Sequence, residues 1–260
     1  ISINILTSTS DLKTAVDAWI SDQTSATATY GDINTWNVSQ ITSFDDMFYI
    51  YTSFNSDISS WDVSSGTDFS DMFHAAQSFN QDISSWDVSS GTNFSNMFRE
   101  AYEFNSDISN WDVSSANNFS LMFHVARSFD QNIRRWNISD SADLTNMFLD
   151  ADLMQSNRGA SSTPTSGDGN YFDSSPPDAP TSLSTSPLKT NDNTPTITGN
   201  AEAGSTVNLY KGSDLLGSAT TDSNGNFSIT TITLSDGDYS LTANATDEVG
   251  NVSETSSSIE

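Results

Sequence analysis

Apolar residues return along the first part of the chain with a step of 25. Trp36, Trp61, Trp86, Trp111 and Trp136 mark one column, and Met47, Met72, Met97, Met122 and Met147 mark another. Ile33, Ile58, Ile83, Ile108 and Ile133 keep the same step, as do Val38, Val63, Val88 and Val113 with Ile138. Two phenylalanine columns run alongside: Phe44, Phe69, Phe94 and Phe119 with Leu144, and Phe54, Phe79, Phe104 and Phe129. A fixed period of this length marks stacked repeats, each too small to bury its apolar face alone. We read five coils, one to each tryptophan of the column.

Within a coil, Ile83-x-x-Trp86-x-Val88-x-x-Gly91 has leucine-rich-repeat spacing. It predicts a short strand with Trp86 and Val88 inward and Ser85, Asp87 and Ser89 outward. Phe94, Met97, Phe98 and Ala101 then fall at i, i+3, i+4 and i+7, which predicts a helix. The fold class expected is therefore an α/β repeat solenoid, leucine-rich-repeat-like, with an N-terminal capping helix. That helix is predicted in "TSDLKTAVDAWISD", with Ser10 as N-cap and Leu12, Ala15, Val16, Trp19 and Ile20 as the apolar stripe.

After Met154 the pattern gives way to "SNRGASSTPTSGDGNYFDSSPPDAP", a linker composition in which Tyr171 and Phe172 are expected to fold back as a cap. From Asp178 short alternating segments follow, with strands predicted at 181–186, 194–198, 205–210, 215–220, 226–232, 239–246 and 251–258. Seven such strands predict an all-β immunoglobulin-like sandwich. "DSNGNF" supplies one hairpin turn, with Gly225 at positive φ. The boundaries expected are 1–158 for the solenoid and its cap, 159–177 for the cap remnant and linker, and 178–260 for the sandwich.

Charge narrows the function. A formal net charge of −26 lacks the basic footprint of a nucleic-acid binder and opposes docking on anionic membranes. No apolar run approaches the ~18 residues of a membrane span. The absence of cysteine removes disulfides, thiol catalysis and thiolate metal sites together. Aspartate-rich loops suit hard divalent cations such as Ca²⁺. The chain opens on Ile1 and stops at "ETSSSIE", which reads as a segment of a longer polypeptide.

The coil "FNQDISSWDVSSGTNFSNMF" and the opening "TAVDAWISD…ATYGDINTWNVS" resemble the BspA-like leucine-rich-repeat proteins of bacterial surfaces, over about residues 1 to 158. "PDAPTSLSTSP…NTPTITGNAEAGSTVNLY…DGDYSLTANATDEVGNVS" resembles the bacterial Ig-like modules of giant adhesins, including secreted RTX-type ones. The resemblance implies an extracellular adhesion role, an Ig-like extender, and Ca²⁺ that rigidifies module junctions. It transfers no ligand. "SSGT" and "SSAN" depart from the family's usual step after the strand.

Candidate chemistry lies in two places. Asp62, Asp87 and Asp112 stack one coil apart, so their mutual repulsion must be relieved by neighbouring serines, by bound cations or by solvent. The column pair Ser59-Ser60, Ser84-Ser85, Ser109-Asn110 before the tryptophan becomes Arg134-Arg135 in the fifth coil. Arginine forks grip carboxylates, so Arg134 and Arg135, with Asn110, Asp112, Asn137, Asp87 and Ser85, form the expected face for a peptide or glycan. The alternative is that Arg135 pairs with Asp112 and closes the acidic ladder. In the second part, Asp178, Glu202, Asp222 and Asp247 lie in loops expected at one pole, as a Ca²⁺ site. His74 and His124 sit two coils apart and cannot share one metal. No nucleophile–base pair or phosphate loop is evident, so a non-enzymatic, monomeric binding module beside further modules of one polypeptide is expected. A structural stalk and an ice-binding surface are the alternatives.

Overall fold

The computed structural model of the 260-residue chain describes residues 6–166, 171–173, 175–185 and 191–259. Residues 167–170 and 174 of the predicted linker, and 186 of the first predicted strand, lie outside them. The chain divides into two compact units, Ile1–Asp173 and Ser174–Glu260.

In the first unit the coils stack in parallel. Single bridges join Ser43 to Asp68, Asp68 to Asn93, Asn93 to Asn118, and Asn118 to Asp143, one repeat at a time. All five column tryptophans are buried, at no more than 5 % exposure, and each from the second coil on donates its indole N–H to a carbonyl of the coil before. Trp86 Nε1, for example, reaches Ile58 O at 3.2 Å. Phenylalanines stack through the interior: Phe48, Phe73, Phe98, Phe123 and Phe148 have centroids 5.3, 5.6, 5.7 and 5.7 Å apart. Parallel-displaced rings at such spacing add to the area they bury.

The predicted per-coil helix is not formed. Phe94, Met97, Phe98 and Ala101 are all fully buried, but the chain there is a run of turns with Asn96 and Glu100 at positive φ (55° and 57°). The reason lies in where the amides go. Met97, Arg99 and Ala101 N–H bond back three residues, while Phe94, Asn96, Phe98 and Glu100 N–H bond to carbonyls of the next coil. An α-helix would spend all of these within the segment and leave the coils unjoined. Nor is there a strand at 83–89, where the backbone is irregular and turn-rich.

Both ends of the stack are sealed. The helix α1, Thr9–Ser21, is capped by Ser8 rather than the expected Ser10: Ser8 Oγ accepts from Asp11 N at 3.1 Å. Leu12, Ala15, Val16 and Trp19 are buried on the first coil, while Ile20 is 37 % exposed. Thr9 Oγ1 donates to Ser43 O at 2.8 Å, and Lys13 Nζ donates to Asp46 O and Met47 O at 3.3 Å, so side chains replace the missing preceding coil. The helix α2, Gln23–Tyr30, and a 3₁₀ turn, Ile33–Thr35, lead into the coils. At the far end, after α3 (Asp152–Arg158), Phe148 N donates to Ser162 O, and Phe172 stacks on Trp136 at 6.4 Å, as expected of the fold-back. Arg158 closes a ladder of stacked amides (Asn55, Asn80, Asn105) by bonding Asp130 Oδ1 at 2.7 Å and Asp130 O at 2.8 Å.

The second unit holds two three-stranded antiparallel sheets. One has the order β1 (Thr181–Ser184), β2 (Thr196–Asn200), β5 (Asn226–Thr230), and the other β4 (Asp214–Thr220), β3 (Thr206–Lys211), β6 (Thr242–Thr246). Ile197, Val207, Leu209, Phe227, Ile229 and Ala243 fill the core. The expected seventh strand at 251–258 is instead a bulged segment. Ser253 and Ser256 accept the Ala245 and Ala243 amides with their hydroxyls, so side chains stand in for ladder carbonyls. Gly225 has φ 77° as the "DSNGNF" turn requires, and an added Cβ would strike the Ala201 carbonyl. Among the described residues no helix is long and apolar enough to cross a membrane.

Candidate functional site

The exterior of the coils carries two kinds of position. In the first, an Asp or Asn accepts the amide of the residue two further on and so closes an Asx turn. Each middle coil has three. Asp82 accepts from Ser84 N at 3.0 Å, Asp87 from Ser89 N at 3.1 Å and Ser89 Oγ at 2.6 Å, and Asn93 from Ser95 N at 3.2 Å. Asp57, Asp62 and Asp68 repeat this one coil earlier, and Asp107, Asp112 and Asn118 one coil later. The Ser89 and Ser114 hydroxyls, with their backbone amides, hold Asp87 and Asp112 below the usual carboxylate range. Asp112 pushes Asp87 the other way and loses. Serine therefore relieves the ladder within each coil, through Ser64, Ser89 and Ser114. Ser85 Oγ instead reaches back to Ser59 O at 3.4 Å.

The expected ligand face is largely built from this first kind. Ser85, Asp87 and Asp112 serve the coil's own turns and stacking, and the Asp112 bonds go to Ser114 rather than to Arg135. Arg134 holds the far cap: its Nε donates to Tyr171 O at 3.3 Å, its guanidinium lies 5.6 Å from the Tyr171 ring, and its carbonyl accepts from Asp173 N. Arg135, Asn110 and Asn137 are exposed beside it. The run of arginines that breaks the repeat thus begins as a lock for the returning chain, a role invisible without knowing that Tyr171 comes back to it.

The second kind of position lies on the turn segments, and its residues change from coil to coil. One column reads Tyr49, His74, Arg99, His124, Leu149, and another reads Thr52, Gln77, Tyr102, Arg127, Asp152. Tyr49 meets His74 edge-on at 4.9 Å, and His74 Nδ1 bonds Asp71 Oδ1 at 2.7 Å. His74 and His124 are both half-buried. Burial first, then the Arg99 charge, lowers His124 from its ordinary value. These columns are not among the sites expected from the sequence, although their departures from the 25-residue repeat are visible in it.

Among the described residues one group of three carboxylates could hold a cation: Asp45, Asp46 and Asp71, with ligand atoms within 4.8 Å of one another. Burial, then Asp45 and Asp71, raises the Asp46 carboxyl. The quartet Asp178, Glu202, Asp222 and Asp247 is not such a group: no three of its members come that close. Asp222 closes its own turn on Asn224 N and Asn226 N, and Asp247 does the same on Gly250 N and Asn251 N. Loops assigned to one pole of a sandwich can still diverge.

No curated protein matches the chain. A solved structure described as "Biofilm associated protein - BSP domain" is similar at 27 % identity and a TM-score of 0.28, over 35 % of this chain and 15 % of that one. Residues 177–260 match a bacterial Ig-like domain, in keeping with the two antiparallel sheets. Residues 14–118 and 84–163 match a second family in two overlapping segments that together exceed half the chain, and the chain therefore belongs to the family described as Mycoplasma protein of unknown function, DUF285.

Proposed function

We propose that the chain is a non-enzymatic binding segment of a bacterial surface or secreted adhesin. The first unit acts as a leucine-rich-repeat-like solenoid that presents a ligand face, and the Ig-like unit acts as an extender. The observation that carries this reading is the division of the coil exterior. Aspartates, asparagines and serines that repeat are spent on turns, whereas the turn segments vary residue by residue over a constant core. A scaffold that needs the same residue in every coil leaves recognition to the positions it does not constrain.

The ligand class is a surface peptide or glycan. Screening the full chain on glycan and peptide arrays tests this, with heat-unfolded chain as control. We expect hits that the unfolded chain lacks, and a blank array would leave the structural stalk. Calcium belongs to the proposal only in the turns of the Ig-like unit. A melting temperature that does not move with added Ca²⁺ would remove the ion while leaving the binding reading intact.

A further inference from the structure

The chain carries 34 Asp and Glu against 8 Lys and Arg, so an arginine is expected to sit against a carboxylate. Arg127 does not. It is exposed, its guanidinium lies 5.0 Å from the Tyr102 ring, and it forms no hydrogen bond or ion pair with any described residue.

Its neighbours are only partly engaged. Tyr102 is one coil back, tied to this coil by Ser128 N donating to Tyr102 O at 3.1 Å, and its hydroxyl has no partner among the described residues. Arg99, three residues before Tyr102, has only its chain neighbour: Nε is 3.4 Å from Glu100 Oε1 and makes no aligned hydrogen bond. His124 follows Arg99 by one coil, with Glu100 N donating to His124 O at 2.8 Å. Its Nδ1 is unpartnered, and its Nε2 is 3.9 Å from Asp150 Oδ2. In His74 the same Nδ1 takes Asp71, three residues earlier, but before His124 that position is Leu121. Arg127 and Tyr102 thus have no hydrogen-bond partner for their side chains among the described residues, and Arg99 Nε and His124 Nδ1 beside them are unsatisfied.

Two guanidiniums, Arg99 and Arg127, supply the patch's fixed positive charge, and burial, then Arg99, lowers His124 from its ordinary value. The arginine fork matches the two oxygens of a carboxylate, and lying over Tyr102 orients one fork in advance. Glu100 and Glu103 flank the group and would repel a polyanion. We infer that Arg99, Tyr102, His124 and Arg127 bind a single carboxylate group, presented by an acidic sugar or by a peptide. This rests on reading the first unit as a binding module.

The test is a titration of the full chain with N-acetylneuraminic acid, glucuronic acid or N-acetylglycine, with sulfate and neutral N-acetylglucosamine for comparison. It is followed by the imidazole C–H resonances, of which the two histidines give separate sets. A saturable shift at His124 and not at His74 is expected, with affinity falling about tenfold or more in Arg127→Gln at an unchanged melting temperature. Whether the sugars or N-acetylglycine bind more tightly identifies the source of the carboxylate. The inference is overturned by no saturable shift with any carboxylate, by equal shifts at both histidines, by equal binding of sulfate, or by unchanged affinity in Arg127→Gln. A blank array with a positive titration would sink the adhesion reading alone. Array hits that survive Arg127→Gln would sink this site alone.

Discussion

Replacing Trp86 with alanine tests the stacked core at its middle coil. The side chain is 4 % exposed, lies 6.3 Å from the Phe73 ring, and donates to Ile58 O at 3.2 Å. Truncating a buried aromatic of this size costs about 3–5 kcal/mol. The Ile58 carbonyl keeps the Trp61 amide at 3.1 Å, so loss of the indole bond adds only the net worth of one hydrogen bond, about 1 kcal/mol. A loss of about 4–6 kcal/mol approaches the whole stability of a typical domain, ~5–15 kcal/mol. All six tryptophans (Trp19, Trp36, Trp61, Trp86, Trp111 and Trp136) precede residue 174, so urea unfolding followed by tryptophan fluorescence reports the first unit alone. Trp86→Phe, which keeps a stacked ring but no N–H, should fall between wild type and Trp86→Ala. A loss below about 1 kcal/mol for Trp86→Ala would mean that coil-to-coil packing does not run through this column.

Three further outcomes follow from the same geometry. Asp87→Asn/Asp112→Asn should keep its turns, because Asn37 already closes the equivalent turn on Ser39 N at 3.1 Å. Both wild-type carboxyls titrate below their unfolded value, so their stabilisation is present above about pH 4 and is lost as pH falls through the lowered folded values. The double variant should lose less stability than wild type between about pH 4 and 2 in acid-unfolding curves, and an identical acid limb would contradict this. Ile50 is 57 % exposed at φ 58°, so Ile50→Asn should stabilise the chain by about 1 kcal/mol in urea titrations, and a net loss would deny the strain. Lys13→Met should cost about 1 kcal/mol by uncapping Met47 O, while Asp46 O keeps the Tyr49 amide, seen as faster amide exchange in the first coil before the third.

The repeat, its buried columns and most of the sandwich were legible because burial is periodic and hydrogen-bond direction is not needed to see it. Phe94, Met97, Phe98 and Ala101 were placed inside correctly and given the wrong backbone. Spacing of i, i+3, i+4 and i+7 also fits consecutive tight turns when amides are shared with the next coil. Six of the seven expected strands form, and the seventh fails where Ser253 and Ser256 hydroxyls replace ladder acceptors. The candidate site was less legible. Arg134 broke the repeat for the sake of Tyr171, 37 residues away in sequence, and no local pattern shows such a return. Asp222 and Asp247 each close their own turn, a role that reading them as ligands did not include.

The central claim is that recognition lies on the variable turn segments and not on the repeated Asp–Ser columns. The most direct measurement is array binding by the full chain, its Arg99→Gln/Arg127→Gln variant, and its Asp87→Asn/Asp112→Asn variant, each checked for an unchanged fold. Loss of hits in the arginine variant with hits retained in the asparagine variant is the expected result. The reverse pattern would place the ligand on the aspartate ladder and contradict the claim.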